Sequence, residues 1–327
     1  MVQFSLNYIF VVVLYLQVLF NPSTLLHVLN ELIECAQAIL RYTYSSREFT
    51  VGRRLLFKMI AIDVLQAFSW YGIFIWLQRT FGLSYVFAFW LNTIAVMQIV
   101  SATNILLAVL LWGAFLYRLI NERVQIIIDN LVEMVDPAQR RDSANHDRRI
   151  VFNRIYRQLN ILRTHHNALT SSIQNIVQFY DVPLALAMLY QFLIIISEFA
   201  TTQQIFYAYT SIVQDIKNDV DVPLGTYMSS ILFAAFEAIQ FYYIISASSE
   251  ITEQAEKTGI LLNEFMPTAP NQRVERCIES FTIELLHQDF KINNYGMFDV
   301  DYTLMFSMIA TITSYLIMLV QFQLAEI

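Results

Sequence analysis

Read for apolar and polar positions alone, the chain divides into six long apolar runs joined by segments whose apolar residues recur at helical spacing. The runs cover residues 4–20, 55–77, 85–117, 182–201, 224–249 and 302–324. Crossing the hydrocarbon core of a bilayer takes roughly 20 predominantly apolar residues in a helix, so the pattern predicts six crossings. The third run holds no charged residue, and the sixth has none between Asp301 and Glu326. The second holds Lys58 and Asp63, the fourth Glu198 and the fifth Glu237. No run shows the strict alternation expected of a barrel strand.

The long joining segments are expected to be helical too. After Tyr117, apolar residues fall at Leu119, Ile120, Val124, Ile127, Ile128, Leu131 and Val135. A turn is expected from Pro137 through Asp147, and helical spacing resumes at Val151, Ile155, Leu159, Leu162, Leu169, Ile173, Ile176 and Val177, towards Pro183. The stretch 274–292 adds Ile278, Phe281, Leu285 and Leu286. Such amphipathic spacing marks helices that bury one face, and a run of about 30 residues reaches about 45 Å. These helices should project into the cytoplasm and pack on one another; contacts between subunits could use the same seams.

Composition agrees with this reading. The 327 residues are 57% hydrophobic and only 14% charged, against about 25% charged in a soluble domain. With 7 glycines and 6 prolines, few breakers interrupt the helices. The fold class is all-α: a polytopic transmembrane helical bundle with helices extended into the cytoplasm. The placement of charge says more than the net value of −7. Eighteen of the 20 lysines and arginines lie in 21–58, 118–181 and 250–301, leaving only Arg79 and Lys217 on the other side. The basic side is cytoplasmic, so both ends of this chain face outward. A G-protein-coupled receptor would put its C-terminus inside and carry an Asp-Arg-Tyr-like motif at the inner end of its third helix; neither feature fits. The head of the first run, Met1 to Asn7, has no basic residue, and a membrane span is expected there rather than a cleaved leader.

Candidate chemistry is sparse. Cys35 and Cys277 fall on the cytoplasmic side, where thiols stay reduced, so no disulfide is expected. The histidines lack zinc-ligand spacing, and adjacent His165 and His166 point about 100° apart on a helix. There is no Gly-rich phosphate loop and no Gly-x-Ser-x-Gly elbow. Neither an enzyme, a cofactor, a metal site nor a nucleic-acid partner is expected.

The last run carries a stripe. At 100° per residue, Ser307, Thr311, Ser314, Met318 and Gln321 fall within about 40° of one line, and Thr303 joins them. Small hydroxyl residues of this kind serve close helix packing or the wall of a water-filled path; periodicity leaves both open. A primary amide at Gln321 must find water or a partner. Asp63, Glu198 and Glu237 invite the same two readings: a ligand or ion contact, or satisfaction by neighbours such as Ser69 or Tyr242. Outer aromatics Trp76, Trp90, Tyr190 and Tyr227, with Glu237, are candidate ligand-binding residues.

The C-terminal third resembles the insect gustatory receptor family. The resemblance rests on 252–259 (Thr-Glu-Gln-Ala-Glu-Lys-Thr-Gly), on 278–281, on 285–288 and on 296–298, and it ends in the last run. There the family has Thr-Tyr, five hydrophobic residues and Gln-Phe; here Ser314 takes the place of the threonine, and Tyr315, 316–320, Gln321 and Phe322 match. The match covers about 250–323, with a further segment at 29–39. It implies a tetrameric, ligand-gated, non-selective cation channel of the plasma membrane, in sensory neuron dendrites. The last helix lines the pore, with Gln321 and Phe322 at its constriction and Ser314 and Tyr315 deeper; Thr311 and Ser307 continue the wall. Cytoplasmic helices anchor the tetramer, so residues 1–249 supply spans and extensions while 250–327 supply the anchor helix and the pore helix. Implied partners are a small-molecule tastant, other gustatory receptor subunits, membrane lipid and the permeating monovalent and divalent cations. The family has seven helices with a cytoplasmic N-terminus, so the first run here corresponds to the family's second helix. That difference keeps a non-conducting accessory subunit open as an alternative. A secondary transporter is the rival from another class, but internal repeats and helices broken at mid-membrane, which that class favours, are not evident.

Overall fold

In the computed structural model, which describes residues 2–43, 50–81, 83–135, 145–214, 224–265 and 271–325, all six predicted runs are helical. The elements are α1 (Val2–Phe20), α2 (Pro22–Thr43), α3 (Thr50–Phe57), a π-helical segment (Lys58–Asp63), α4 (Val64–Phe81), α5 (Leu83–Val135) and α6 (Asn145–Gln214). They continue with α7 (Leu224–Phe265), α8 (Gln272–Gln288), β1 (Asn293–Asn294), β2 (Phe298–Asp299) and α9 (Tyr302–Ala325). Among the described residues, Gly52–Ile75, Thr93–Val132, Arg149–Phe199, Ile231–Glu264 and Tyr302–Phe322 are long and apolar enough to cross a membrane. The expected sixth crossing is α1, whose pairing with α2 is bent by 82°.

That bend has a local cause. Pro22 has no N–H to continue the ladder of α1, but it suits the first turn of a new helix. The new helix, α2, is amphipathic and buries Val28, Leu32, Cys35, Ala36 and Ile39 against α6 and α5. The sequence reading did not assign a helix here.

Much of the core lies in the helical extensions predicted to be cytoplasmic, where the predicted seams close on each other. Ile120, Val124, Ile127 and Leu131 of α5 are buried with Ile155, Leu159, Leu162, Leu169, Ile173 and Ile176 of α6, and with Ile278 and Phe281 of α8. Leu286 departs from expectation: it is 74% exposed, because the apolar face of α8 runs through Val274, Cys277, Ile278 and Phe281. The turn expected from Pro137 lies largely outside the described residues. Glycine makes the tightest contact possible. A Cβ on Gly113 would stand 2.5 Å from Ile251 Cδ1 and 2.7 Å from Ile173 Cδ1, so α5 meets α6 and α7 there almost backbone to side chain.

Polar clamps fix the register of this core. Asn121 donates to the Gln254 carbonyl at 2.8 Å and accepts from Thr258 Oγ1 at 2.5 Å, tying α5 to α7. Arg163 grips Glu284 with two nitrogens, Nε at 2.5 Å from Oε2, and Asn167 adds a donor at 3.0 Å, tying α8 to α6. The hydrogen bond from Arg163 is the main reason the Glu284 carboxyl sits below its ordinary pKa. Asn271 starts α8 by accepting from the Arg273 N–H at 2.9 Å, a normal N-cap.

Two irregularities are met by distant partners. Pro183 lies inside α6, where a proline leaves the carbonyl four residues earlier without its donor. That carbonyl belongs to Phe179, and the side-chain amide of Gln17 in α1 donates to it. Between α8 and α9, the hairpin β1–β2 pairs Asn293 with Asp299 and Asn294 with Phe298. Its turn has φ of 50° at Tyr295 and 68° at Gly296, and Asn294 donates to the Asp181 carbonyl at 2.8 Å. The foot of the last helix is thereby pinned to the middle of α6.

Candidate functional site

Asp301 caps α9, its carboxylate accepting from the Leu304 N–H at 3.0 Å. Only the base of the helix docks on the core, through partly buried Leu304, Met305 and Met308, against α6 and α7. Above that, the span stands open: no residue from 302 to 322 is buried. The hydroxyls of the stripe turn inward on their own helix. Ser307 donates to Thr303 O, Thr311 to Ser307 O and Ser314 to Ala310 O, each at 2.8 Å. Bonding to the carbonyl four residues back is how a hydroxyl is satisfied within an apolar span. Ser307, Thr311, Ser314, Tyr315, Gln321 and Phe322 are all exposed, Phe322 to 64%.

A second polar group lies inside the bundle. In an α-helix, residues five apart point about 140° away from each other. The wider turn of a π-helix stacks residue i on i+5, and here it brings Lys58 against Asp63. Lys58 Nζ lies 2.8 Å from Asp63 Oδ1 and also donates to Asn104 Oδ1. Asn104 Nδ2 donates to Asp63 Oδ2 at 2.6 Å, and Gln240 Nε2 donates to Asp63 Oδ1 at 2.8 Å. The π-helical segment, α5 and α7 are thus joined through one carboxylate. The amide of Gln240 also reaches Gln66 Oε1 at 3.4 Å. Beyond it, the Glu237 carboxyl faces the side chains of Gln191 and Gln66, while Gln66 Nε2 has no partner at hydrogen-bonding distance. Glu237, Gln66, Gln191 and Gln240 are all buried.

The five candidate ligand residues divide. Tyr190 is 2% exposed beside Phe10, Ile99, Ala102 and Ala187, and it is close enough to Glu237 to feel its charge. Trp90 is 44% exposed and packs on Phe74, ring centroids 5.0 Å apart. The side chains of Trp76 and Tyr227 lie outside the described residues. Asp63 takes Lys58, Asn104 and Gln240 as partners instead of the expected Ser69, whose hydroxyl bonds to the Leu65 carbonyl at 2.8 Å. Tyr242, the other expected partner, is 47% exposed. Lys58 consequently belongs to the buried cluster and not to the cytoplasmic segment it was counted with. Gln66, Asn104, Gln191 and Gln240 were missed. Asp63 with Gln66, and Glu237 with Gln240, are i,i+3 pairs, which place both polar groups on one helix face, and that spacing was the available signal.

Residues 1–326 match the family described as 7tm Chemosensory receptor. The chain belongs to that family. This chemosensory receptor is similar to the Gustatory and pheromone receptor 33a of Drosophila melanogaster, 30% identical over 93 residues, which are 26% of this chain and 20% of that protein. It is also similar to the Putative gustatory receptor 28b of the same fly, 29% identical over 79 residues, or 24% of this chain and 17% of that one. These matches therefore span a fifth or less of the relatives' length. Its fold resembles the insect olfactory receptor OR5 from Machilis hrabei, with TM-score 0.62 and 12% identity over 98% of this chain and 80% of that one. The structure of that receptor in complex with eugenol gives TM-score 0.57 and 14% identity over 98% and 82%. As a chemosensory receptor the protein is not an enzyme; it is an integral membrane protein built of helices.

Proposed function

We propose that this receptor is a taste-sensing subunit of a ligand-gated, non-selective cation channel in the plasma membrane of sensory neurons. Four subunits place their α9 helices around a central path. The single observation that carries this reading is the stripe on α9: Ser307, Thr311, Ser314 and Gln321 line one face of a span without a buried residue. Lipid satisfies the apolar face of such a helix, and the hydroxyl face is left for neighbouring subunits and water. Gln321 and Phe322 form the outer constriction.

The intramembrane cluster is the coupling element. A small molecule entering from the outside meets Tyr190 and Glu237, and one helical turn along α7 from Glu237 the Gln240 amide bonds to both Gln66 and Asp63. The likeness to a receptor solved with eugenol supports an organic ligand of modest size.

Expression alone and with other gustatory receptor subunits, with G proteins blocked, should give tastant-evoked cation current. Absence of current in every combination, or current that disappears with G-protein blockade, overturns the proposal. Gln321→Ala should change relative cation permeability; unchanged permeation with normal surface expression removes Gln321 from the pore wall.

A further inference from the structure

One cleft of about 530 Å³ lies between α3 and the middle stretches of α5 and α7, lined by Arg53, Arg54, Arg118, Glu250, Phe57 and Phe115 among others. Its charge is unbalanced: three guanidiniums face one carboxylate. Glu250 is shared, Oε2 lying 2.5 Å from Arg54 Nη1 and Oε1 lying 2.9 Å from Arg118 Nη2. Arg54 spends a second nitrogen on Ser246 Oγ at 2.7 Å. The pairing fixes two guanidiniums side by side and leaves the cleft with two net positive charges.

Depth in the membrane is set by the neighbours. Lys58, the first residue of the intramembrane cluster, is one helical turn from Arg54, or about 6 Å further in. The arginines therefore stand where the apolar span ends on the cytoplasmic side, at the level of lipid headgroups. Below them the surface of α3 and the π segment is apolar and uncovered: Leu56, Phe57, Met59 and Ile60 are 56%, 63%, 42% and 59% exposed. A pocket with fixed guanidiniums at its head and an open apolar ridge at its foot matches an amphiphile with an anionic head and acyl tails. Guanidinium forks recognise phosphate oxygens in pairs, and basic residues beside a membrane favour anionic lipid.

We propose that this cleft binds the phosphorylated headgroup of an anionic phospholipid of the inner leaflet. Arg53 and Arg118 hold the phosphate, and Glu250 fixes Arg118 beside Arg54. Free phosphate lacks any use for the apolar ridge, so the lipid is the committed occupant. The proposal concerns lipid binding and stands apart from conduction.

The test uses the full-length receptor in phosphatidylcholine nanodiscs, titrated with a phosphatidylinositol bisphosphate and read by native mass spectrometry. Retention of that lipid over phosphatidylcholine is expected. Arg53→Gln, at an exposed position, should weaken it several-fold with unchanged thermal stability. The double variant Arg53→Gln/Arg118→Gln should weaken it about 30-fold, taking juxtamembrane arginines at their usual strength. Equal retention of neutral and anionic lipid overturns the proposal, as does unaltered binding in Arg53→Gln. Should the double variant not assemble, Arg53→Gln decides alone. Inorganic phosphate competing as strongly as the lipid overturns the lipid assignment.

Discussion

Replacing Gln17 by leucine isolates one hydrogen bond that joins two helices far apart in sequence. Gln17 of α1 donates to the Phe179 carbonyl, which Pro183 deprives of its helical donor. Phe179 is 8% exposed, which limits the access of water to its carbonyl once the amide is lost. A buried carbonyl left without a donor costs about 1–3 kcal/mol, and leucine keeps most of the volume. Gln17→Leu should therefore lower stability by about 1–3 kcal/mol. The decisive background is Pro183→Ala, in which the new main-chain N–H reaches the same carbonyl and makes Gln17 redundant. There Gln17→Leu should cost under about 0.5 kcal/mol, giving a coupling energy of about 1–3 kcal/mol in the double-mutant cycle. Equilibrium unfolding in mixed micelles of rising dodecyl sulfate content measures all four proteins. Equal losses in both backgrounds would refute the reasoning, because the amide would then matter through packing and not through the orphaned carbonyl.

Other expectations follow from the same packing. At 2.8 Å and an effective dielectric constant near 20, the Lys58–Asp63 pair attracts by about 6 kcal/mol; removing one partner strands the other. Asp63→Asn or Lys58→Met should each cost about 3–5 kcal/mol, and the double variant should recover most of that in the same unfolding assay. Gly113→Leu drives a side chain into Ile173 and Ile251, so a loss of at least about 1–3 kcal/mol is expected, seen as reduced assembled receptor on size-exclusion chromatography. Glu284 holds its carboxyl below the ordinary value of 4.5 through Arg163, so its contribution is present above that value and is lost as pH falls through the depressed one. Protection of the α8 amides, taken relative to the intrinsic exchange rate at each pH, should fall on acidification below about 4.5, and Glu284→Gln should remove that dependence.

Much of this architecture was legible because periodicity is a local property. Ile120, Val124, Ile127 and Leu131 repeat at helical spacing and are buried. The arginine distribution supplies an expected orientation for them without any tertiary information. What escaped depends on partners distant in sequence. Pro183 reads as a boundary until Gln17, 162 residues from Phe179, supplies the donor that lets α6 run through. Lys58 reads as a cytoplasmic charge until the π turn folds it onto Asp63. The stripe on α9 was visible on a helical wheel, whereas Gln191 and Asn104, scattered polar positions in apolar runs, acquire meaning only beside Glu237 and Asp63.

The hydroxyls of α9 have one more consequence for the proposed channel. Each proton on Ser307, Thr311 and Ser314 is already committed to a carbonyl one turn below. What those residues present outward is lone pairs without donors. A ring of such faces, repeated by symmetry, offers electron density to any ion that passes and leaves the Gln321 amide as the donor group on the stripe for a negative one. Sign selectivity then needs no formal charge anywhere along the helix, and the absence of Asp, Glu, Lys and Arg between Asp301 and Glu326 becomes compatible with passing cations and refusing anions.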